Sequence, residues 1–264
     1  MPEMAPLVLR NLSWALTTLL EIILLWYLVR KKLHRTHPAF FLYVLMAVAQ
    51  SAIVALTYRL LEPRSPTAFG VAWATQAVVV FVRWLAVMEI AKKALAAYTG
   101  IWAMASRILI GIGVCALVYA VAAARLHWYL AVLNADRAVE LCTAGFIVGM
   151  FLFVRYYGIT MPPFDRMLAI GFCLYSCFEV INDSLYENWV YAAGALWSYL
   201  DLITYMASLI LWIMAARNYS EATNTMTQPE LLPEHYAELS QKLNSRLLVL
   251  NHRLDHLFRS EDRS

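Results

Sequence analysis

Residues 178 to 189 read FEVINDSLYENW, which sets Glu179, Asn182 and Asp183 at i, i+3 and i+4, with Tyr186 at i+7. On a helix these four side chains share one face. Two carboxylates, an amide and a phenol in one stripe could hold a small cation or amine through charge, hydrogen bonding and cation–π attraction. Other polar residues fall at matching depth in other apolar segments: Gln76, Glu140 and Asp201, with Trp73 and Trp197 adding aromatic faces. The expected ligand-binding set is therefore Glu179, Asn182, Asp183, Asp201, Gln76, Glu140, Trp73 and Trp197, lining an acidic, aromatic cup. A second reading stays open for the outermost of these positions. Asp183, Glu187 and Trp189 also suit the rim of a membrane helix, where acids are solvated and aromatic residues form a belt.

Arg83 poses a separate problem. It lies fourteen residues into its apolar segment, close to the midplane. A charge there costs about 2.5–3.5 kcal/mol on insertion scales, so it requires a partner. Glu21 and Gln50 reach similar depth, and Glu21 is the expected partner in an intramembrane ion pair. Such a pair could fix helix register or serve as a switch.

Several chemistries find no support. The chain has no HExxH, no GxSxG and no glycine-rich phosphate loop, so no catalytic residue is assigned. Retinal would need a lysine in the last span, whereas Lys31, Lys32, Lys92, Lys93 and Lys242 all lie outside the spans. Haem would need histidine within the bundle, and the six histidines fall in loops or the tail. Cys173 and Cys177, one turn apart, read as small core residues rather than metal ligands. No cofactor and no metal are expected.

The elements that must position these residues are apolar runs. Only 15% of the chain is charged, against about a quarter in soluble proteins. Runs of about twenty apolar residues, enough to cross a hydrocarbon core of about 30 Å, cover 12–30, 39–59, 69–91, 107–125, 138–157, 166–186 and 194–216. The fold class expected is all-α, a polytopic integral membrane bundle of seven transmembrane helices. Fifteen lysines and arginines fall on one side of these segments and five on the other. Because positive residues stay cytoplasmic, the N-terminus is expected outside and the C-terminus inside. The first basic cluster follows the first apolar run, which favours a retained helix over a cleaved signal.

The chain divides into a seven-helix region, 1–217, a proline-punctuated linker, 218–235, and a tail, 236–264. In the tail Tyr236, Leu243, Leu247, Leu250, Leu254 and Leu257 follow three-four spacing, the pattern of an amphipathic helix. About three heptads are marginal alone, so the tail is expected to dock on the protein's own loops, a second copy, a cytoplasmic protein or anionic lipid. No nucleic-acid partner is expected. A faint repeat relates Arg30, Pro38 and Glu62 to Arg155, Pro163 and Glu187, which share the spacings 8 and 24.

A basic first loop after WYLVRKK, a third span ending in AVMEIAKKAL and a cytoplasmic exit after seven helices carry a resemblance. On these features residues 12–217 resemble the seven-helix sensor regions of some bacterial histidine kinases and the stand-alone membrane proteins similar to them. The resemblance implies a sensory role in the bacterial inner (cytoplasmic) membrane. A ligand or cation would occupy the outward cup, and the C-terminal helix would pass the signal on. No kinase domain accompanies these features. Two other readings remain: a proton- or cation-coupled transporter or channel, and an accessory subunit of a membrane complex.

Overall fold

The computed structural model describes the backbone of residues 4–61, 65–95, 99–123, 128–157 and 161–220, with positions 241 and 245 of the tail. Side chains are described for these residues except 4–12, 99–101, 120, 123, 128–131, 133, 157, 182–199 and 201. Contacts divide the chain into Met1–Thr227 and Gln228–Ser264, and every membrane-length helix belongs to the first unit. The linker and amphipathic helix expected over 218–235 and 236–264 lie almost wholly outside the described residues.

Among the described residues the secondary structure is entirely helical: α1 (Met4–Arg30), α2 (Leu33–Thr36), α3 (Pro38–Leu60), α4 (Pro66–Ala94), α5 (Thr99–Ala123), α6 (Trp128–Tyr157) and α7 (Pro163–Arg217). Among the described residues, five stretches are long and apolar enough to cross a bilayer: Ser13–Arg30, Pro38–Leu60, Pro66–Ala94, Trp102–Tyr119 and Asn134–Tyr156. Leu202–Arg217 is a shorter apolar helical stretch. Large apolar side chains such as Trp26, Leu56, Leu117, Val118 and Leu152 are more than half exposed on the outer faces. An apolar exterior on this scale marks a surface made for lipid. The chain is an all-α, multi-pass membrane protein.

Segments expected at 166–186 and 194–216 both fall within α7. A straight helix would hold residues 171 and 208 about 55 Å apart at 1.5 Å per residue. Instead the Ser208 hydroxyl donates to the Gly171 carbonyl at 3.1 Å, and Trp212 Nε1 donates to the Leu168 carbonyl at 3.2 Å. The two ends of α7 are therefore antiparallel legs, and the chain reverses between them. Gly171 permits the crossing, because a Cβ there would collide with the Trp212 indole.

Local chemistry sets the helix starts. Proline opens α3, α4 and α7, where its missing N–H would be unpaired anyway. Ser65 caps α4 by accepting from the Ala68 N–H at 3.2 Å. No side chain adjacent to α3 caps it. Instead Glu89, from α4, accepts from the N–H groups of Ala39 (3.1 Å) and Phe40 (3.0 Å). The turn out of α1 passes through Lys32 in the left-handed region, φ 56°.

The helices pack in a chain of neighbours: α1 on α3 and α7, α3 on α4, α4 on α6, and α6 on both α5 and α7. Phe40, Tyr43, Phe172 and Trp212 form the aromatic centre, with ring centroids 4.8–6.4 Å apart. They join α3 to both legs of α7.

Candidate functional site

Arg83 projects from α4 into the bundle and is only 3% exposed. Its guanidinium pairs with two carboxylates of α6. Nη1 lies 3.2 Å from Asp136 Oδ1 and is also in contact with Glu140 Oε1. Asp136 and Glu140 are four residues apart, so one helix turn presents both acids to the same neighbour. The Tyr175 ring of α7 and the Tyr43 ring of α3 lie 5.2 and 6.0 Å from the guanidinium carbon. Both are within reach of cation–π attraction.

The cluster extends in two directions. Toward α3, Gln76 Nε2 donates to Asp136 Oδ2 at 2.8 Å, and Gln50 Nε2 donates to Gln76 Oε1 at 2.8 Å. Toward α1, Tyr43 interacts electrostatically with both Arg83 and Glu21. Tyr205, on the second leg of α7, donates to Glu21 Oε1 at 2.7 Å. The result is a polar set in two hydrogen-bonded parts, Gln50–Gln76–Asp136–Arg83 with Glu140 as a branch at Arg83, and Tyr205–Glu21, with Tyr43 interacting with both. It draws on α1, α3, α4, α6 and α7.

Charge in this set does not balance. Arg83 is its one cation, and Asp136, Glu140 and Glu21 are three carboxyl groups. Several buried atoms also lack a hydrogen-bond partner within the protein: Glu140 Oε2, Glu21 Oε2, Arg83 Nε, Thr143 Oγ1 and Ser176 Oγ. Thr143 is three residues beyond Glu140 on α6, and Ser176 adjoins Tyr175. A polar group buried without a partner is costly, so these atoms are the ones suited to a proton, a cation or water. Among the described residues, no three His, Cys, Asp or Glu side chains converge as a metal site.

A second polar cluster sits where α2, α3, α4 and α7 meet. His37 Nε2 lies 2.6 Å from Asp165 Oδ1, with the side chains only 1% and 4% exposed. The other ring nitrogen, Nδ1, lies 3.0 Å from the Thr36 hydroxyl, and Phe164 packs edge-on at 4.7 Å. Lys93 donates to the Thr36 carbonyl, and Glu89 caps α3 beside it. Lys31 ties the corner after α1 to the end of α7 by donating to the Tyr219 carbonyl at 3.2 Å.

The expected site residues are distributed unevenly. Gln76 and Glu140 fall in one network, linked through Asp136 and Arg83. Glu179 is half-buried, one turn beyond Tyr175, and interacts electrostatically with that phenol. Trp73 packs on Phe69, centroids 5.9 Å apart. The side chains of Asn182, Asp183, Asp201 and Trp197 lie outside the described residues. The expected Arg83–Glu21 pair is corrected: Arg83 takes its acids from α6, and Glu21 bonds Tyr205. The two share depth, but α4 faces α6 and α1 faces α7, with tyrosines between them. Asp136, Tyr43, Tyr175, Tyr205, His37 and Asp165 do not stand out in the sequence as site residues. For Asp136 a signal exists, since NADRAVE places it four residues before Glu140.

In comparisons with known proteins, no family model, no curated protein and no solved structure matches the chain.

Proposed function

We propose that this is a receptor-like protein of the bacterial inner membrane, whose Arg83 network responds to a proton or small organic cation. The reading takes the chain as seven spans, N-terminus outside and C-terminus cytoplasmic. One observation carries it: two carboxyl groups share one buried guanidinium, and Glu140 and the nearby Glu21 each keep a buried oxygen without a protein partner. A proton or cation arriving at Glu140 would compete with Arg83 for that acid. Arg83 would then shift its weight toward Asp136 and the tyrosines. Because the tyrosines connect to α7 and α1, such a shift reaches the helix from which the tail leaves. A ligand moves such an equilibrium only through differential affinity for its two states. The resemblance to seven-helix sensor regions supports the sensory part of the reading.

The test is thermal unfolding of the protein in nanodiscs against a panel of alkali cations, primary amines and quaternary amines over a range of pH. At least one probe should stabilise the wild type and fail to stabilise Glu140→Gln. If every probe acts equally on wild type and Glu140→Gln, the reading is wrong. The row of buried polar groups from Gln50 through Arg83 to Glu21 favours a second reading, proton- or cation-coupled transport. Ion flux into vesicles, abolished by Glu140→Gln, would replace the first reading with the second.

A further inference from the structure

The two legs of α7 finish side by side, at the end of the bundle where the helix begins with Pro163 and stops at Arg217. A groove of about 260 Å³ lies between these ends. Phe164, Met167, Met214 and Ala215 form its apolar part, and Asn218 and Ser220 its polar part. Met214 is 49% exposed, so the apolar part opens on the outer face of the bundle. From Met214 to Asn218 is about 6 Å along the helix axis. The groove thus passes from thioether and methyl groups beside the helix to an amide and a hydroxyl beyond its last turn. Asn218 caps α7, and the sequence from there reads NYSEATN. The helix end and the change from apolar to polar sequence coincide, which puts the polar part of the groove at the membrane surface.

Two cations stand at its rim. Arg217 is three residues beyond Met214 and Arg166 three residues beyond Pro163, so each shares a helix face with a residue that lines the groove. Both are exposed, and among the described residues neither guanidinium has an ion-pair or hydrogen-bond partner. Lys31 brings the end of α1 beside them by its bond to the Tyr219 carbonyl. Arg30, Lys32 and Arg35 are exposed on that corner. The acids described at this end, Asp165 and Glu89, are engaged by His37 and by the N–H groups of α3. Among the described residues, then, the surface around the groove carries cations with no exposed acid to offset them.

We infer that this groove holds one phospholipid with an anionic headgroup, an acyl chain against Met167, Met214 and Ala215 and the phosphate among Arg166, Arg217 and Asn218. Depth and charge agree on this occupant. A groove that is apolar within the bundle and cationic at the surface complements an acyl chain ending in an anion. A second copy of the chain, docked by the same end, would set one uncompensated cationic surface against another. The inference is independent of what the Arg83 network binds.

The experiment is native mass spectrometry of the full chain released from vesicles of phosphatidylcholine mixed with phosphatidylglycerol, their acyl chains matched. Wild type should retain one phosphatidylglycerol in preference to phosphatidylcholine. Arg166→Gln and Arg217→Gln should each lower that preference about fivefold. Ala215→Phe, whose ring would fill the apolar part, should lose the retained lipid. Arg35→Gln is the control, since α2 packs on α1 and α3 rather than on the legs of α7, and it should leave the preference unchanged. An equal loss in Arg35→Gln would overturn the inference in favour of a diffuse cationic surface. A wild type with no lipid or no preference would overturn it outright. A change of oligomeric state in Ala215→Phe, with lipid mass unchanged, would overturn it in favour of a second copy as the occupant. Should Ala215→Phe fail to fold, the two arginine variants decide: an unchanged preference in both overturns the proposal.

Discussion

Arg83 and His37 are each almost wholly buried against an aspartate from another helix, yet their surroundings differ in how the polar atoms are accounted for. His37 meets one acid, Asp165, and its second nitrogen meets Thr36. Glu89 and Lys93 beside it are spent on backbone groups of α3 and α2. None of the His37, Asp165 or Glu89 side-chain atoms is buried without a partner, although His34 Nδ1 on α2 is. Around Arg83 the acids outnumber the cation, and two carboxyl oxygens, a guanidinium nitrogen and two hydroxyls are left over. A closed polar cluster holds helices in place. An open one, at the same burial, is poised to accept something or to rearrange.

This difference can be broken by substitution. Arg83→Leu should have the largest effect, because it leaves Asp136 and Glu140 buried without a cation. A loss of about 3–5 kcal/mol is expected in chemical unfolding in mixed micelles. Adding Asp136→Asn and Glu140→Gln should restore part of that loss, since no uncompensated charge then remains. Asp165→Ala removes the partner of His37 at the end of the bundle, and should cost about 1–3 kcal/mol in the same measurement. It should leave any response of the Arg83 network to cations or protons intact.

Smaller substitutions sharpen the contrast. Tyr205→Phe removes the hydrogen bond to Glu21 and should cost about 1 kcal/mol. Its larger signature should be a weakened transmission of any Glu140-dependent shift to α7, read by hydrogen exchange along that helix. Glu89→Ala should cost about 1 kcal/mol. Glu89→Gln keeps an oxygen to cap α3 and should change stability by about 0.5 kcal/mol or less. A closed cluster predicts this ordering: the oxygen matters and the charge does not.

Much of the architecture is legible in the chain. The apolar runs mark the membrane-crossing helices, and Pro38, Pro66 and Pro163 stand at helix starts as their chemistry requires. The two legs of α7 correspond to two separate apolar runs. Adjacency is what the chain does not display. Hydropathy and charge give depth along a helix axis but not which helix lies beside which, so level alone pairs Glu21 with Arg83. Asp136 reads as a loop residue because the apolar run starts at residue 138, whereas α6 begins at Trp128. His37 and Asp165 each lie close to prolines in polar connections and read as solvated. Only the convergence of helix ends 128 residues apart in the chain buries them together.

The central claim is that the surplus carboxyl of the Arg83 network exchanges with its surroundings and the His37 cluster does not. Infrared difference spectroscopy of the protein in nanodiscs, stepped between acidic and alkaline pH, tests it most directly. On acidification the wild type and Asp165→Asn should show a protonated-carboxyl component that is missing from Glu140→Gln, above the bands that the other acids give in all three. A band that persists undiminished in Glu140→Gln, or one that vanishes only in Asp165→Asn, would contradict the account and move the responsive site to the other end of the bundle.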